Sequence, residues 1–163
     1  LLGLGRSKIA FVGDNTDDAP EFKHRYDGYY EAHREAGMLV NPNLQVATDN
    51  QETSAYEATQ ELIDRGEEFD AIFAASDLIA FGVLKCLKKN GIETPDPIAV
   101  VGFDDIPAAT YFSPALTTVR QDTRLAAESL LGNLLKMIEG EAVTSPLVPI
   151  SLVVRGSCGG RPS

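Results

Sequence analysis

Four polar side chains in this sequence stand where parallel β-sheet proteins bind their ligands. Asp104 follows the apolar run 98–103, Ser76 follows a second apolar run, and Asn50 follows a third candidate strand. Arg25 lies in the second turn of the helix expected after the first strand. Ligands of open parallel sheets bind just beyond the carboxyl ends of the strands. Because aspartate only accepts hydrogen bonds and arginine offers a rigid fork of donors, this set predicts a cleft for vicinal hydroxyls or a carboxylate.

Three of these side chains also have a structural alternative. Arg25 and Asp104 could pair with each other as a salt bridge, which would not exclude a ligand role. Ser76 has the residue type and the position of a helix N-cap. The neighbouring aspartates are weaker candidates for ligand binding. We expect Asp77 to cap a helix and Asp105 to cap the short helical turn that follows it.

Catalytic and metal-binding chemistry have little support in the sequence. The acidic loop after the first strand lacks the alternate spacing and the glycine of a calcium site. We expect this loop to be solvated; its aspartates are Asp14, Asp17 and Asp18. Cys86 and Cys158 lie far apart and outside any CxxC motif, and no nucleophile elbow or phosphate loop is present. We therefore expect no metal, no cofactor and no enzymatic activity.

Strand-like and helix-like segments alternate over the first two-thirds of the chain. Apolar runs predict strands at residues 8–13, 44–48, 71–75 and 98–103. Amphipathic segments predict helices at residues 20–37, 53–65 and 77–90, with a proline in the first turn of the first helix and a glycine at the end of each. This alternation implies an α/β fold in which a parallel sheet with right-handed crossovers is flanked by helices.

The last third of the chain departs from this alternation. Residues 122–139 predict a strongly amphipathic helix. Its apolar face comprises Leu125, Leu130 or Leu131, Leu134 and Ile138. An extended run bounded by Pro146 and Pro149 follows, and residues 150–154 predict a final strand.

The composition is that of an acidic globular domain. The chain has 163 residues, of which 44% are hydrophobic, and a formal net charge of -10. Because phosphate backbones repel such a charge, we expect this chain alone not to bind nucleic acid. Neither a signal peptide nor a long apolar span is visible, so we expect a cytoplasmic protein without membrane contact. The opening LLGLG resembles the tail of a helix with its glycine stop, which predicts a fragment of a longer protein.

Five sequence blocks occur in an order that is typical of one protein family. They are GRSKIAFVG at residues 5–13, RYDGYYEAHREAG at 25–37, FDAIFAASDLIAFGVLKCLKKNGIETP at 69–95, GFDD to LTTVRQD at 102–122, and VVRGSC at 153–158. In these blocks, and over nearly its whole length, the chain resembles the LacI/GalR family of bacterial transcriptional regulators. The family joins an N-terminal helix-turn-helix domain to a two-lobed small-molecule sensor.

The resemblance implies a domain organisation. Residues 1–112 and 147–158 match the C-terminal lobe of the sensor, a periplasmic-binding-protein-like type I lobe with three α/β/α layers. Residues 113–146 match the crossover strap and a helix that belong to the other lobe. That lobe and the DNA-binding domain are absent from this chain. Without the other lobe, the leucine face of the helix should be exposed or covered by another chain.

The resemblance also implies roles for the four polar residues. Arg25 and Asp104 match positions that hold a polar effector such as a sugar or a purine. Ser76 matches a position often held by asparagine or serine, whose side chain could contact the ligand. Asn50 stands where relatives often carry an aromatic residue that stacks on the ligand. Because asparagine binds by hydrogen bonds instead, it favours a hydroxyl-rich effector.

A second set of positions matches the twofold dimer interface of the family. It comprises Ala80, Phe81 and Leu84 on the third helix, with Tyr111 and Phe112 on the turn after GFDD. A plain core role is the alternative for Leu84. The sequence thus predicts the sensor of a homodimeric LacI-type regulator that binds a sugar and reaches operator DNA only through an absent domain. A periplasmic sugar-binding protein of a transporter and a small α/β enzyme are the alternatives.

Overall fold

The computed structural model describes residues 1–14, 16, 18–145 and 147–161, which form a six-stranded sheet and four α-helices. The strands are β1 (Ile9–Val12), β2 (Gln45–Val46), β3 (Ala71–Ala74), β4 (Ala99–Asp104), β5 (Thr117–Gln121) and β6 (Ile150–Val153). The helices are α1 (Pro20–Glu35), α2 (Glu52–Asp64), α3 (Asp77–Lys89) and α4 (Thr123–Ile138). Asp17 of the acidic loop and Pro146 of the extended run lie outside the described residues.

The strands lie in the order β2-β1-β3-β4-β5-β6. All neighbouring pairs are parallel except β5 and β6, which are antiparallel. The predicted α/β class with a parallel sheet is therefore confirmed. The segment that follows residue 112 enters this sheet as β5, where Arg120 pairs opposite Asp104. This pairing brings the end of β5 to the same edge as the end of β4.

One hydrophobic core joins the parallel strands to the first three helices. Its largest fully buried apolar side chains are Phe11, Leu62, Ile72, Ile79, Leu87 and Leu116. Continuous apolar strands such as β1 are typical of a sheet that is covered on both faces. Gly82 allows α2 and α3 to pack closely, because a Cβ there would lie 2.3 Å from the carbonyl oxygen of Glu52. This close approach sets the first turn of α2 against the middle of α3.

Helix α4 lies outside this core, and none of its residues is buried. The side chains of Leu130 and Ile138 are 72% and 74% exposed, which agrees with the exposure expected of the leucine face. Ile150 and Leu152 on β6 are exposed as well. Exposed apolar residues in such number mark an interaction surface.

Candidate functional site

The structure brings all four predicted binding residues to the carboxyl edge of the sheet. Asp104 ends β4, Ser76 precedes α3, and Asn50 lies between β2 and α2. From α1, Arg25 Nη1 donates to the carbonyl oxygen of Ala75 at 2.6 Å, and Nη2 donates to Asp104 Oδ1 at 3.2 Å. Ser76 Oγ donates to Asn50 Oδ1 at 2.5 Å. We call these four side chains, from Asp104 through Arg25 and Ser76 to Asn50, the polar row.

Two aromatic rings hold the guanidinium of Arg25. Its Cζ lies 4.0 Å from the ring centroid of Phe103 and 5.0 Å from that of Phe22, distances that suit cation–π contacts. With its hydrogen bonds to Ala75 and Asp104, the side chain is only 13% exposed. Because the guanidinium is oriented before a ligand arrives, less conformational entropy is lost on binding.

Asp104 has an unusual backbone conformation for a residue with a side chain. Its φ is 115°, in a region that non-glycine residues rarely adopt. Its Oδ1 also accepts a hydrogen bond from Gln121 Nε2 at 2.9 Å. Burial raises the pKa of the Asp104 carboxyl, and the opposing effects of Arg25 and Gln121 are too small to cancel it. The Asp104 side chain is 29% exposed, and a charge at such a partly buried position attracts a ligand more strongly than it would in open water.

Gln121 and Phe103 contact the polar row but were not among the predicted site residues. Both lie inside blocks that were recognised, GFDD and LTTVRQD. Their place in the site depends on the parallel pairing of β5 with β4 and on the reach of Arg25 across the sheet edge. The available signal for Gln121 was a polar residue near the end of the LTTVRQD block.

Ser76 is the N-cap of α3, one of its two expected roles. Its Oγ accepts a hydrogen bond from the backbone N–H of Ile79 at 3.2 Å and donates its proton to Asn50. The residue is 1% exposed, so its main contribution to the row is to orient Asn50. Within the described chain no hydrogen bond involves Asn50 Nδ2. This amide is free to donate to a ligand.

The two neighbouring aspartates do not have the capping roles that we expected. Asp77 is fully buried, and its carboxylate accepts hydrogen bonds from Thr118 Oγ1 at 2.5 Å and from the backbone N–H of Ile106 at 2.9 Å. Burial raises the pKa of Asp77, and these two bonds offset only part of the effect. The carboxylate of Asp105 pairs with two arginines instead of capping the next turn. Both roles depend on partners distant in sequence, which local patterns do not reveal.

The residues predicted for a dimer interface differ in accessibility. Ala80 is fully buried, so its side chain cannot itself touch a partner. The rings of Phe81 and Phe112 stack with their centroids 4.1 Å apart. Together with Leu84 and Tyr111 they line a groove of about 840 Å³ beside α3. Tyr111 is 86% exposed, whereas Phe81 and Leu84 form the floor of the groove.

The described residues contain neither a metal-binding cluster nor a membrane-spanning helix. In residues 1–14, 16, 18–145 and 147–161, no group of three or more histidine, cysteine, aspartate and glutamate side chains could hold a metal ion. Over the same residues, every helix is too short or too polar to span a bilayer. Cys86 and Cys158 are buried free thiols.

Known proteins share both the sequence and the fold of this chain. Residues 1–158 match the family described as periplasmic binding protein-like domain. The HTH-type transcriptional regulator RegA of Clostridium saccharobutylicum is 34% identical over 146 residues, which are 90% of this chain and 44% of RegA. This relative is a transcriptional regulator, the class of protein that the resemblance implies.

Two solved structures extend this comparison. The transcriptional regulator CelR in complex with cellobiose has a TM-score of 0.89 at 35% identity, over 96% of this chain and 48% of CelR. The lac repressor dimer bound to operator and the anti-inducer ONPF has a TM-score of 0.89 at 26% identity, over 96% of this chain and 47% of the repressor. The chain thus spans less than half the length of these relatives. It belongs to the periplasmic binding protein-like domain family, in the branch that forms the effector-binding region of LacI/GalR-type transcriptional regulators.

Proposed function

We propose that this chain is the C-terminal lobe of the sensor of a LacI-type regulator and that its polar row binds a sugar. The observation that carries the proposal is the pair of Arg25 and Asp104, which is held at the carboxyl edge of the sheet with the aspartate side chain 29% exposed. The pair offers donors and acceptors side by side. Vicinal hydroxyls of a sugar can accept hydrogen bonds from Arg25 and donate hydrogen bonds to Asp104. They would thereby replace the contact between the two side chains.

A hydroxyl-rich ligand also suits the rest of the edge. Asn50 and Gln121 add amide groups on either side of the pair, and amides both donate and accept. The aromatic surface nearest to the pair is Phe103, whose ring is already in contact with Arg25. Recognition would therefore depend on hydrogen bonds more than on stacking. CelR was solved with cellobiose, which makes this disaccharide the first probe.

The second wall of the cleft would come from another lobe. In this proposal residues 1–112 and 147–158 form one lobe. Residues 113–146 add β5 to its sheet and then cross to the other lobe through α4, and a DNA-binding domain lies further toward the N-terminus. The unburied apolar face of α4 supports this arrangement, because a second lobe would cover it. The ligand would change operator affinity because it binds the open and closed conformations unequally.

We further propose that two copies associate through the groove that Phe81, Leu84, Tyr111 and Phe112 line. A twofold dimer would cover the exposed ring of Tyr111 in each copy. The symmetry of the operator would then mirror that of the protein. Because the net charge is -10, DNA contacts would be made outside this chain. A protein that acts on DNA in this way works in the cytoplasm.

Isothermal titration calorimetry of the full-length protein that carries this chain tests the proposal. Cellobiose, maltose, galactose and adenosine are titrated into the protein, the Asp104→Asn variant and the control Asp96→Asn, which changes an exposed loop. We expect one sugar to bind the protein and the control equally. Its affinity for Asp104→Asn should fall about tenfold to a hundredfold, because a hydrogen bond to a charged group contributes roughly 1.5–3 kcal/mol. A sugar that binds Asp104→Asn as tightly as the unmodified protein would contradict the proposed site. Binding of adenosine but of no sugar would change the proposed ligand class to nucleosides.

A further inference from the structure

The VVRGSC block near the end of the chain has no part in the site described so far. Its Arg155 is 15% exposed. Nη2 donates to Asp105 Oδ1 at 2.7 Å, and Nη1 donates to the carbonyl oxygen of Leu116 at 2.7 Å. The backbone N–H of Arg155 donates to Thr117 Oγ1 at 2.8 Å. Arg155 therefore ties the residue that follows Asp104 to the start of β5.

Asp105 is almost completely withdrawn from water. Its side chain is 6% exposed, and its two carboxylate oxygens accept hydrogen bonds from Arg155 and from Arg120 Nε. Burial alone would raise the pKa of Asp105, but the bonds from Arg155 and Arg120 outweigh burial and lower it. Arg120 is 55% exposed, so Arg155 is the more firmly held of the two partners.

The turn that Arg155 holds is strained at two consecutive residues. The φ angles are 115° at Asp104 and 54° at Asp105. Residues with side chains keep such conformations only where the surrounding contacts impose them. Because the two aspartates share a peptide plane, a fixed Asp105 carboxylate restricts the direction in which Asp104 points.

We infer that Arg155 is a positioning residue for ligand binding: by holding the carboxylate of Asp105, it keeps Asp104 directed at Arg25 and the binding edge. The inference rests on the proposed function for what Asp104 binds, but not for how Asp104 is held. The segment that follows β6 thereby acquires a role in the site. The terminal segment completes the turn that presents the ligand-binding carboxylate.

Ser157 provides the matched control, because it ties the same segment to the sheet without touching the turn. Its Oγ donates to the carbonyl oxygen of Val100 at 2.6 Å and accepts from the backbone N–H of Thr117 at 2.8 Å. The residue is fully buried. Ser157→Ala should therefore weaken the attachment of the segment and leave the contacts of Asp105 in place.

The first experiment measures the pKa of the Asp104 carboxyl by carbon-13 NMR titration of this chain and its Arg155→Met and Ser157→Ala variants. Burial raises this pKa in the unmodified chain. In Arg155→Met the released turn should expose Asp104, and the pKa should fall toward the ordinary aspartate value. Loss of a nearby cation without movement would have the opposite effect. Ser157→Ala should leave the pKa unchanged. An unchanged or higher pKa in Arg155→Met, or an equal fall in Ser157→Ala, would overturn the inference.

Arg155→Lys keeps the inference testable if Arg155→Met does not fold. Lysine retains the charge but lacks the fork that reaches Asp105 and Leu116 together, so the pKa of Asp104 should fall by a smaller amount. No change in Arg155→Lys, with Arg155→Met unfolded, would count against positioning.

The second experiment separates the inference from the proposed function. Calorimetric titration of the full-length protein with cellobiose should show affinity reduced about tenfold in Arg155→Met and unchanged in Ser157→Ala. Cellobiose affinity that falls in Asp104→Asn but not in Arg155→Met would overturn positioning. If Asp104→Asn leaves the affinity for cellobiose unchanged, the proposed function is wrong for this sugar. The NMR titration would still decide how Asp104 is held.

Discussion

The strained backbone of Asp104 predicts an inverted order of stability for two small substitutions. Its φ of 115° is accessible to glycine, whereas it costs a residue with a Cβ about 1–3 kcal/mol. Asp104→Gly and Asp104→Ala both lose the contacts with Arg25 and Gln121. The difference in the free energy of unfolding between these two variants therefore isolates the strain.

The magnitude follows from two opposing effects. In regular structure glycine is less stable than alanine by roughly 0.5–1 kcal/mol, because the unfolded chain gains entropy. At residue 104 the release of about 1–3 kcal/mol of strain exceeds this cost. From the middle of the two ranges, we expect Asp104→Gly to be more stable than Asp104→Ala by about 1 kcal/mol, which corresponds to a Tm higher by about 2–4 °C for a chain of this length.

Urea unfolding of the two variants, followed by circular dichroism, measures the difference. Glu57 occupies an exposed position inside α2 and supplies the matched pair. There Glu57→Ala should be more stable than Glu57→Gly by about 1 kcal/mol. If Asp104→Ala proves at least as stable as Asp104→Gly, residue 104 is not strained. The reasoning that a held, strained turn presents this carboxylate would then be refuted.

Three further predictions concern the cap of α3, the packing of α2 against α3 and the ion pairs of Asp105. Ser76→Ala should lower the free energy of unfolding in urea by about 1 kcal/mol, because α3 loses its cap; an unchanged value would contradict the cap. Gly82→Ala should lower the Tm, at a cost of about 1–3 kcal/mol for overpacking against Glu52. Gly132→Ala on the open face of α4 should raise the free energy of unfolding by about 1 kcal/mol, and the Tm with it. A Tm change of the same sign in both variants would refute the packing account. Asp105→Asn should reduce stability above the ordinary aspartate pKa of 3.8, and this deficit should vanish as the pH falls through the lowered pKa of the folded state. A deficit independent of pH would exclude the ion pair.

Much of the fold was predictable because its signals are local. Apolar runs located β1, β3 and β4, and amphipathic segments with their prolines and glycines located the four α-helices. Once a parallel sheet is expected, Asp104, Ser76 and Asn50 must meet at one edge, since each follows a strand. The position of Arg25 in the second turn of α1 was readable from the sequence, but its contact with Asp104 was open, because α1 could have met the sheet edge at several angles.

The contacts that orient the site were not predictable in this way. The hydrogen bond of Gln121 to Asp104 depends on the strand order and register of β5 against β4. The pair of Arg155 and Asp105 also needs β6 to return beside β5. The positive φ angles at Asp104 and Asp105 have only a weak signature in residue type, because aspartate, although enriched at positive φ, is far more common in ordinary conformations. All three features depend on contacts between segments that are distant in sequence.

A crystal structure of the full-length protein with cellobiose, or with the tightest sugar found by calorimetry, tests the central claim most directly. We expect sugar hydroxyl oxygens within hydrogen-bonding distance of both Asp104 Oδ and Arg25 Nη, in place of the present contact between these two side chains at 3.2 Å. A sugar bound elsewhere, with the Arg25–Asp104 contact intact, would contradict the assignment of the polar row as the effector site.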